Sequence, residues 1–365
     1  MSQPNPFESE GEIIDVGSRR PRRRRWLWLL VIAIAVLVLL ASRGLSIYLS
    51  ALWFGSLGYA PVYWYIFRLK IELFLIFLLL TVAIVRGGLW LIELAFSPFA
   101  FGPRTIFINQ QPVNVSPGRL LRPLAWIVSG LAGLIFGFGM RESWRRFALY
   151  FHQSQTDLTD PIFHKPVAFY LFTLPVYDAI SEWLLYLSII ILCAAVIYAL
   201  LTVTQPGLAT KGAEVRARRT SLTTVSCALA VWLLILAWRF VLSRYPYLWG
   251  DRQSFSGVSY TEANYLLPGF IWVAVALIIA ALISLLNGFF LRQLRVLAIG
   301  LAIPLAVYIV ATILIPAYVT SFIVRPNELN REAPYIQQNI AWTRRAFGVD
   351  RIEQRSFDAE TTAES

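Results

Sequence analysis

Long apolar segments recur along this chain and are separated by shorter polar ones. Seven of them have roughly the length that a helix needs to cross the hydrocarbon core of a bilayer, about 20 residues. They cover residues 26–47, 70–93, 124–140, 177–204, 222–242, 268–290 and 296–316. In lipid each backbone polar group needs an internal partner, which a helix supplies. The pattern predicts an all-α polytopic membrane protein with seven transmembrane helices.

A dense block of arginines precedes the first apolar segment and sets the predicted direction of the later ones. It comprises Arg19, Arg20 and Arg22 to Arg25. Such blocks stay on the cytoplasmic side, so we predict the N-terminus inside and, after seven crossings, the C-terminus outside. The apolar run is long for a signal peptide and no small-residue cleavage site follows it, so we expect an uncleaved anchor.

The same pattern divides the chain into three predicted parts. Residues 1–25 form a disordered basic cytoplasmic tail, 26–316 a seven-helix transmembrane domain, and 317–365 an extracytoplasmic tail. In that tail Pro334 is predicted to start a helix and Gly348 to stop it. About 50 residues are too few to build their own core, so the tail packs on the outer loops or belongs to something larger.

The tail helix and the connecting segments carry further predictions. Ile336, Ile340 and Phe347 are predicted to share the apolar face of the tail helix. The aromatic stretch 48–59 is predicted to be an outer interfacial loop. Alternating residues at 105–115, in the inner loop, predict a short hairpin. Segments 141–175 and 243–264 are predicted outer loops, and 205–220 is a predicted inner loop.

Composition bears mainly on which partners this protein binds, a lipid bilayer or a nucleic acid. The chain is 58% hydrophobic with a net charge of +11. A basic balance also occurs in nucleic-acid-binding proteins. Here much of the charge sits at the ends of apolar runs, where the positive-inside rule places it. We therefore expect the lipid bilayer and proteins of the cell envelope as partners, and no nucleic acid. Composition gives no oligomeric state.

One outer loop holds both histidines of the chain and two carboxylates between them. His152, Asp157, Asp160 and His164 are the weak candidates for a metal site. Their spacing matches no standard ligand pattern, and loops are ordinarily rich in Asp. We therefore predict no metal ion, no cofactor and no catalytic residue. Cys193 and Cys227 lie in predicted helices and are expected to be packing residues.

Two predicted helices carry internal patterns. Glu72, Arg86 and Glu93 fall on one stripe of the second helix. They would serve as an ion or proton relay, or else Glu72 and Glu93 mark the helix ends while Arg86 extends toward the inner surface.

In the third helix Ser129, Gly133 and Gly137 form a small-residue face. Such a face favours close helix packing within the bundle over pairing between chains. Pro304 is expected to kink the seventh helix.

Several stretches resemble the uncharacterised bacterial integral membrane proteins of uncharacterised protein family 0182. They occur in the same order over almost the whole chain after the first helix. They are Trp53-Phe54-Gly55-Ser56-Leu57-Gly58-Tyr59, Asp160-Pro161-Ile162-Phe163, Phe169-Tyr170-Leu171-Phe172-Thr173-Leu174-Pro175, Gly257-Val258-Ser259-Tyr260-Thr261, Arg325-Pro326-Asn327-Glu328-Leu329, Pro334-Tyr335-Ile336, Asn339-Ile340 and Thr343-Arg344.

The resemblance implies a seven-helix membrane region followed by a large extracytoplasmic domain, and it transfers no catalytic or binding residue. It also implies that family members continue for hundreds of residues past the position of Ser365. Phe357-Asp358-Ala359-Glu360 resembles the start of that domain. The expected location is the bacterial plasma membrane, crossed several times.

Three functions compete on this basis. The first is a membrane scaffold that anchors an extracytoplasmic module in cell-envelope function. The second is a transporter or channel that uses Arg86 and the Pro304 kink, although no inverted repeat is visible. The third is an envelope enzyme that uses the loop from His152 to His164, although no catalytic motif is present. The scaffold fits best because the stretches of the resemblance lie mostly on the predicted outer face.

Overall fold

The computed structural model describes residues 22–96, 104–108, 111–115, 117–203, 211–250, 257–353 and 355. Over these residues the chain is helical apart from one hairpin and short connections. Seven helices are long and apolar enough to cross a membrane, by length and composition. Their outward faces carry long runs of exposed large apolar side chains, far more than a water-soluble surface tolerates. The predicted number of apolar helices is confirmed.

The elements follow in chain order. The helices are α1 (Arg22–Ser56), α2 (Ala60–Phe96), α3 (Pro117–Glu142), α4 (Trp144–Phe151), α5 (Leu174–Val203), α6 (Lys211–Leu242), α7 (Leu267–Leu286), α8 (Leu294–Tyr308), α9 (Ile315–Tyr318) and α10 (Glu328–Ala346). Strands β1 (Arg104–Ile108) and β2 (Gln111–Val115) pair antiparallel between α2 and α3 and confirm the predicted hairpin. Segments with π-helical bonding lie at Phe169–Thr173, Glu262–Leu266, Asn287–Leu291, Ile309–Leu314 and Val319–Val324.

The chain divides into two compact units, residues 1–68 and 69–365. In the first unit, α1 and the start of α2 form a helical hairpin. Gly58 turns the chain at φ +79°, which favours glycine, and the Tyr59 N–H donates to the Phe54 carbonyl at 2.8 Å. The Tyr63 hydroxyl donates to the Ile47 carbonyl at 3.0 Å, and its ring stacks on Phe54. These contacts hold the two helices together across the turn.

The second unit is built around α6 and α7. Its central core consists of small and branched side chains from α6, α7 and α8: Leu229, Ala230, Leu233, Ala237, Val273, Ala274, Leu277, Ala280, Ala281 and Leu297. Alanines let the helix backbones approach closely. In lipid this close packing holds helices together, because no hydrophobic driving force acts between them. A Cβ on Gly269 would lie 2.7 Å from the Ala311 carbonyl oxygen, so only glycine fits at that crossing.

The small-residue face of α3 packs against α2. A Cβ on Gly133 would lie 2.7 Å from Val82, and one on Gly137 would lie 3.1 Å from Phe74. Ser129 is fully buried and its hydroxyl donates to the carbonyl four residues earlier. The prediction that this face marks packing within the bundle is confirmed.

The last helical run is much longer than a bilayer is thick. It continues from Leu294 to Ala346 over 53 residues, about 80 Å at 1.5 Å per residue. It contains Pro304, five residues before the first of two π-helical segments within this run. The run ends at Ala346, just before Gly348, whose φ of +66° stops the helix as predicted.

Several predicted boundaries were wrong because helices extend beyond their apolar parts. The stretch 48–59 is helical up to Ser56, since aromatic residues suit an interfacial helix as well as a loop. Helix α6 begins at Lys211 inside the predicted inner loop, and α4 lies inside a predicted outer loop.

The predicted tail helix differs in its start and in its packing face. Pro334 lies inside α10, which begins at Glu328. Of the predicted apolar face, Ile340 and Phe347 are 51% and 80% exposed. The predicted tail at 1–25 and the end of the chain lie largely outside the described residues.

Candidate functional site

A cavity of about 350 Å³ lies where three regions of the second unit meet. We call it the Asp160 cavity. Its walls come from the segment before α5, from the segment after α6 and from α10. The lining residues are Asp160, Pro161, Ile162, Val167, Tyr170, Leu171, Leu248, Trp249, Gly257, Val258, Tyr335, Gln338, Asn339 and Trp342. Most of this surface is aromatic or aliphatic, with a few polar groups, as is common in binding cavities.

Asp160 organises the first wall. Its residue surface is 7% exposed. One carboxylate oxygen, Oδ2, accepts the backbone N–H of Phe163 and, at 3.1 Å, the hydroxyl of Tyr170. Its backbone N–H donates to the Lys165 carbonyl at 2.9 Å, and its carbonyl accepts the His164 N–H at 3.0 Å. The buried carboxylate therefore stabilises the loop to which Asp160 itself belongs.

The second wall ends in a capped helix start. Gly257 has a φ of +122° and donates its N–H to the Gly250 carbonyl at 2.9 Å. The Ser259 N–H donates to Glu262 Oε2 at 3.3 Å, and the Glu262 N–H donates to Ser259 Oγ at 3.4 Å. This reciprocal pair is a capping box, and it satisfies two of the N–H groups that a helix start leaves free.

The third wall, α10, is fastened to that same helix start. Glu332 is 6% exposed, and its Oε2 accepts the Tyr260 N–H at 2.9 Å. A carboxylate at this position also complements the positive end of the helix dipole. The Arg331 guanidinium lies 5.1 Å from the centre of the Tyr260 ring, and Asn264 donates to the Tyr335 hydroxyl at 2.8 Å. Helix α10 therefore packs on the segment before α7.

The predicted metal candidates occupy different environments. His152, Asp157 and His164 are exposed, whereas Asp160 is buried. His164 sits in the left-handed region at φ +55°. Among the residues that the structure describes, no group of three or more His, Cys, Asp or Glu side chains could hold a metal ion. Of the four candidates, only Asp160 lines the cavity.

Sequence reasoning missed the packing face of α10. Glu332, Tyr335, Asn339 and Trp342 follow a 3-4-3 spacing, which is one helix face, but the face is mostly polar and aromatic. The readable signal was the Ser259-x-x-Glu262 spacing of a capping box, which marks the helix start where α10 docks.

A sequence model of the uncharacterised protein family UPF0182 matches residues 27–365. The chain belongs to this family. A UPF0182 protein of Cupriavidus necator is 34% identical over 331 residues, which cover 87% of this chain and 34% of that protein. A UPF0182 protein of Desulforamulus reducens is 29% identical over 344 residues, which cover 88% and 36%. One from Mycobacterium tuberculosis is 28% identical over 326 residues, which cover 86% and 32%.

The chain thus spans about a third of the length of the curated relatives it matches. No solved structure matches it. The family assignment and the seven apolar helices fit a membrane protein.

Five of the eight stretches that carried the UPF0182 resemblance contribute residues to the Asp160 cavity. Asp160-Pro161-Ile162 and Tyr170-Leu171 form the first wall, Gly257-Val258 form part of the second, and Tyr335 and Asn339 belong to the third. These stretches are far apart in the chain. The fold brings them to one end of the second unit, which makes this cavity its candidate functional site.

A second polar feature is an ion pair between two residues of α2, Arg86 and Glu93. The Arg86 Nη2 is 3.4 Å from Glu93 Oε2, and the two side chains are 18% and 9% exposed. The Arg86 guanidinium lies 5.1 Å from the centre of the Trp126 ring. Arg86 Nε and Nη1 and Glu93 Oε1 are buried without a hydrogen-bond partner in the described part of the chain. Two of the three residues of the predicted stripe therefore form a pair.

Proposed function

We propose that this chain is a multi-pass scaffold of the bacterial plasma membrane that anchors an extracytoplasmic module of the cell envelope. The observation that carries the proposal is the convergence of separate UPF0182 stretches on one cavity that α10 helps to enclose. Helix α10 is the polar continuation of a helical run too long for one bilayer crossing. The end of the bundle that holds the cavity is therefore the anchoring end.

The distribution of charge supports the orientation that we propose, with the N-terminus inside and the C-terminus outside. Arginines precede the apolar part of α1, and further arginines lie at the opposite end of α6 and α7 from the Asp160 cavity, at Arg218, Arg219 and Arg292. Under the positive-inside rule that end faces the cytoplasm and the cavity faces outward. The corresponding division is 1–25 as tail, 26–316 as membrane domain and 317–365 as extracytoplasmic tail.

Cysteine labelling tests the orientation. Cys193→Ala and Cys227→Ala remove the native thiols, and single reporters are then placed at exposed positions: Gln155→Cys and Thr343→Cys at the cavity end, or Gly212→Cys at the other end. In intact cells an impermeant maleimide should label the first two, and it should reach the third only after permeabilisation. Labelling of Thr343→Cys only after permeabilisation would refute the orientation.

Copurification tests the anchoring role. Trp342 lines the Asp160 cavity, whereas Phe347, the residue that follows the end of the same helix, is 80% exposed and lies outside the cavity. Envelope proteins that copurify with the unmodified chain from crosslinked membranes should be lost with Trp342→Ala and kept with Phe347→Ala. If both variants retain them equally, or if the unmodified chain retains none, the scaffold proposal fails.

The buried Arg86–Glu93 pair favours a transporter or channel as the second candidate. A buried charge pair with unsatisfied polar atoms is costly in an apolar bundle, and charges inside membrane helices often mark ion or proton pathways. Proton flux into proteoliposomes that contain a pH-sensitive dye is the test. Arg86→Leu and Glu93→Gln should each abolish a flux that runs through the pair, and an unchanged flux would exclude this function.

A further inference from the structure

The chain reverses direction between α7 and α8 at an unusually constrained arginine. Arg292 has φ +53° and ψ 44°, in the left-handed region that residues with a side chain rarely adopt. Glycine or asparagine is the usual choice there. An arginine in this position must be held by its surroundings.

Buried Asn287 holds the turn. Its side chain is fully buried, and its Oδ1 accepts the Gln293 N–H at 2.9 Å. Its backbone carbonyl accepts the Arg292 N–H at 2.7 Å, and its Nδ2 donates to Ser226 Oγ on α6 at 3.3 Å. The Thr223 hydroxyl, also on α6, donates to the Gly288 carbonyl at 2.6 Å.

The turn is thereby fixed against α6, where two more arginines lie. Arg218, Arg219 and Arg292 line a pocket of about 490 Å³ between α6 and the turn, which we call the arginine pocket. No carboxylate lines it, and none of the three has an ion pair among the residues that the structure describes. Three like charges repel each other unless an anion lies between them.

The other walls of the arginine pocket are apolar and open outward. They include Leu222, Phe290 and Leu291, and the last two are 77% and 52% exposed. If the helices span a bilayer, these side chains lie beside lipid tails and the guanidinium groups lie at headgroup level. The positive-inside rule accounts for arginines at this end, but not for their convergence around a locked left-handed turn.

We propose that the arginine pocket binds the phosphate headgroup of an anionic phospholipid, whose acyl chains run along Phe290 and Leu291. Guanidinium groups bind phosphate through paired hydrogen bonds, and basic pockets between membrane helices suit such headgroups. The inference rests on the proposed function only in placing the helices in a membrane.

Native mass spectrometry of the purified chain in detergent micelles tests the inference. Phosphatidylglycerol and diphosphatidylglycerol should bind, and zwitterionic phosphatidylcholine should bind much more weakly. Arg219→Gln and Arg292→Asn each remove one phosphate contact, and asparagine tolerates the left-handed backbone. Each should weaken binding of the anionic lipids about tenfold.

Arg295→Gln is the matched control. It removes the same charge three residues from Arg292, at an exposed position outside the pocket. Its effect should stay below about twofold. An equal loss in Arg295→Gln, or no loss in the pocket variants with an unchanged melting temperature, would overturn the inference.

A competition arm separates the two sources of phosphate. Inorganic phosphate at millimolar concentration should not displace bound lipid, because it lacks the acyl chains. Displacement of the lipid at that concentration would assign the pocket to a free phosphate and overturn the lipid part of the inference. The micelle measurement does not depend on cellular orientation, so its failure is distinct from a failure of the labelling experiment.

Discussion

The Asp160 cavity and the arginine pocket lie at opposite ends of α6 and α7 and use charge in opposite ways. At the cavity end, the buried charges are the carboxylates of Asp160 and Glu332. Asp160 accepts the backbone N–H of Phe163, and Glu332 accepts the backbone N–H of Tyr260. At the pocket, the charges are guanidinium groups that line an open space without a carboxylate.

The comparison separates two uses of a charged side chain. A buried carboxylate that accepts backbone N–H groups stabilises a loop or a helix start, because these donors would otherwise be left unsatisfied. The three arginines converge without a counter-charge, and of them only Arg292 has a hydrogen bond from its side chain to the backbone in the described residues, from Nε to the Gly288 carbonyl at 3.4 Å. We therefore expect substitutions at the carboxylates to change folding and substitutions at the arginines to change binding.

The largest effect is expected from the residue that fixes the arginine pocket in place. Asn287→Leu keeps the number of side-chain heavy atoms but removes the two hydrogen bonds that the Asn287 side chain makes to Gln293 and Ser226, which should cost about 3 kcal/mol in the free energy of unfolding. Unfolding by sodium dodecyl sulfate in mixed micelles measures it. The exposed neighbour Gln293→Leu is the control, and an equal loss there would mean that the turn does not depend on Asn287.

A smaller effect is expected where α10 is fastened at the Asp160 cavity. Glu332→Leu leaves the Tyr260 N–H without an acceptor and should release α10 at a cost of about 2 kcal/mol. Tryptic cleavage after Arg344 and Arg345, both on α10, should accelerate accordingly. Glu332→Gln keeps an acceptor and should have about half the effect. The exposed Glu328→Leu on the same helix should change nothing, and comparable acceleration there would contradict the assignment.

The same contrast explains how far sequence reasoning reached. The seven apolar helices, the hairpin, the face of Ser129, Gly133 and Gly137, and the stop at Gly348 follow from local patterns, and each was predicted. Local periodicity and backbone chemistry suffice for such features, because the residues that decide them are neighbours in the chain.

The candidate site was predictable only in part. Asp160 was singled out for its chemistry as a metal ligand, whereas in the structure its carboxylate closes a loop. Glu332 was missed because its partner, the Tyr260 N–H, is 72 positions away in the chain. The expectation that α10 packs through an apolar face was also wrong, because this helix docks through polar and aromatic groups onto the start of another helix. Neither hydrophobic periodicity nor local backbone chemistry predicts which distant segments of the chain come into contact.

The smallest predicted effect tests what holds Asp160 in its loop. Tyr170→Phe removes the hydroxyl that donates to Asp160 Oδ2 and should cost about 1 kcal/mol, since the Phe163 N–H still binds that oxygen. Tyr177→Phe is the control, because Tyr177 is 38% exposed and its hydroxyl makes no hydrogen bond in the described part of the chain. If the two variants lose equal stability in mixed-micelle unfolding, the tyrosine does not stabilise the carboxylate. Asp160 would then be held only by the backbone N–H of Phe163, in the same way that Glu332 is held by the backbone N–H of Tyr260.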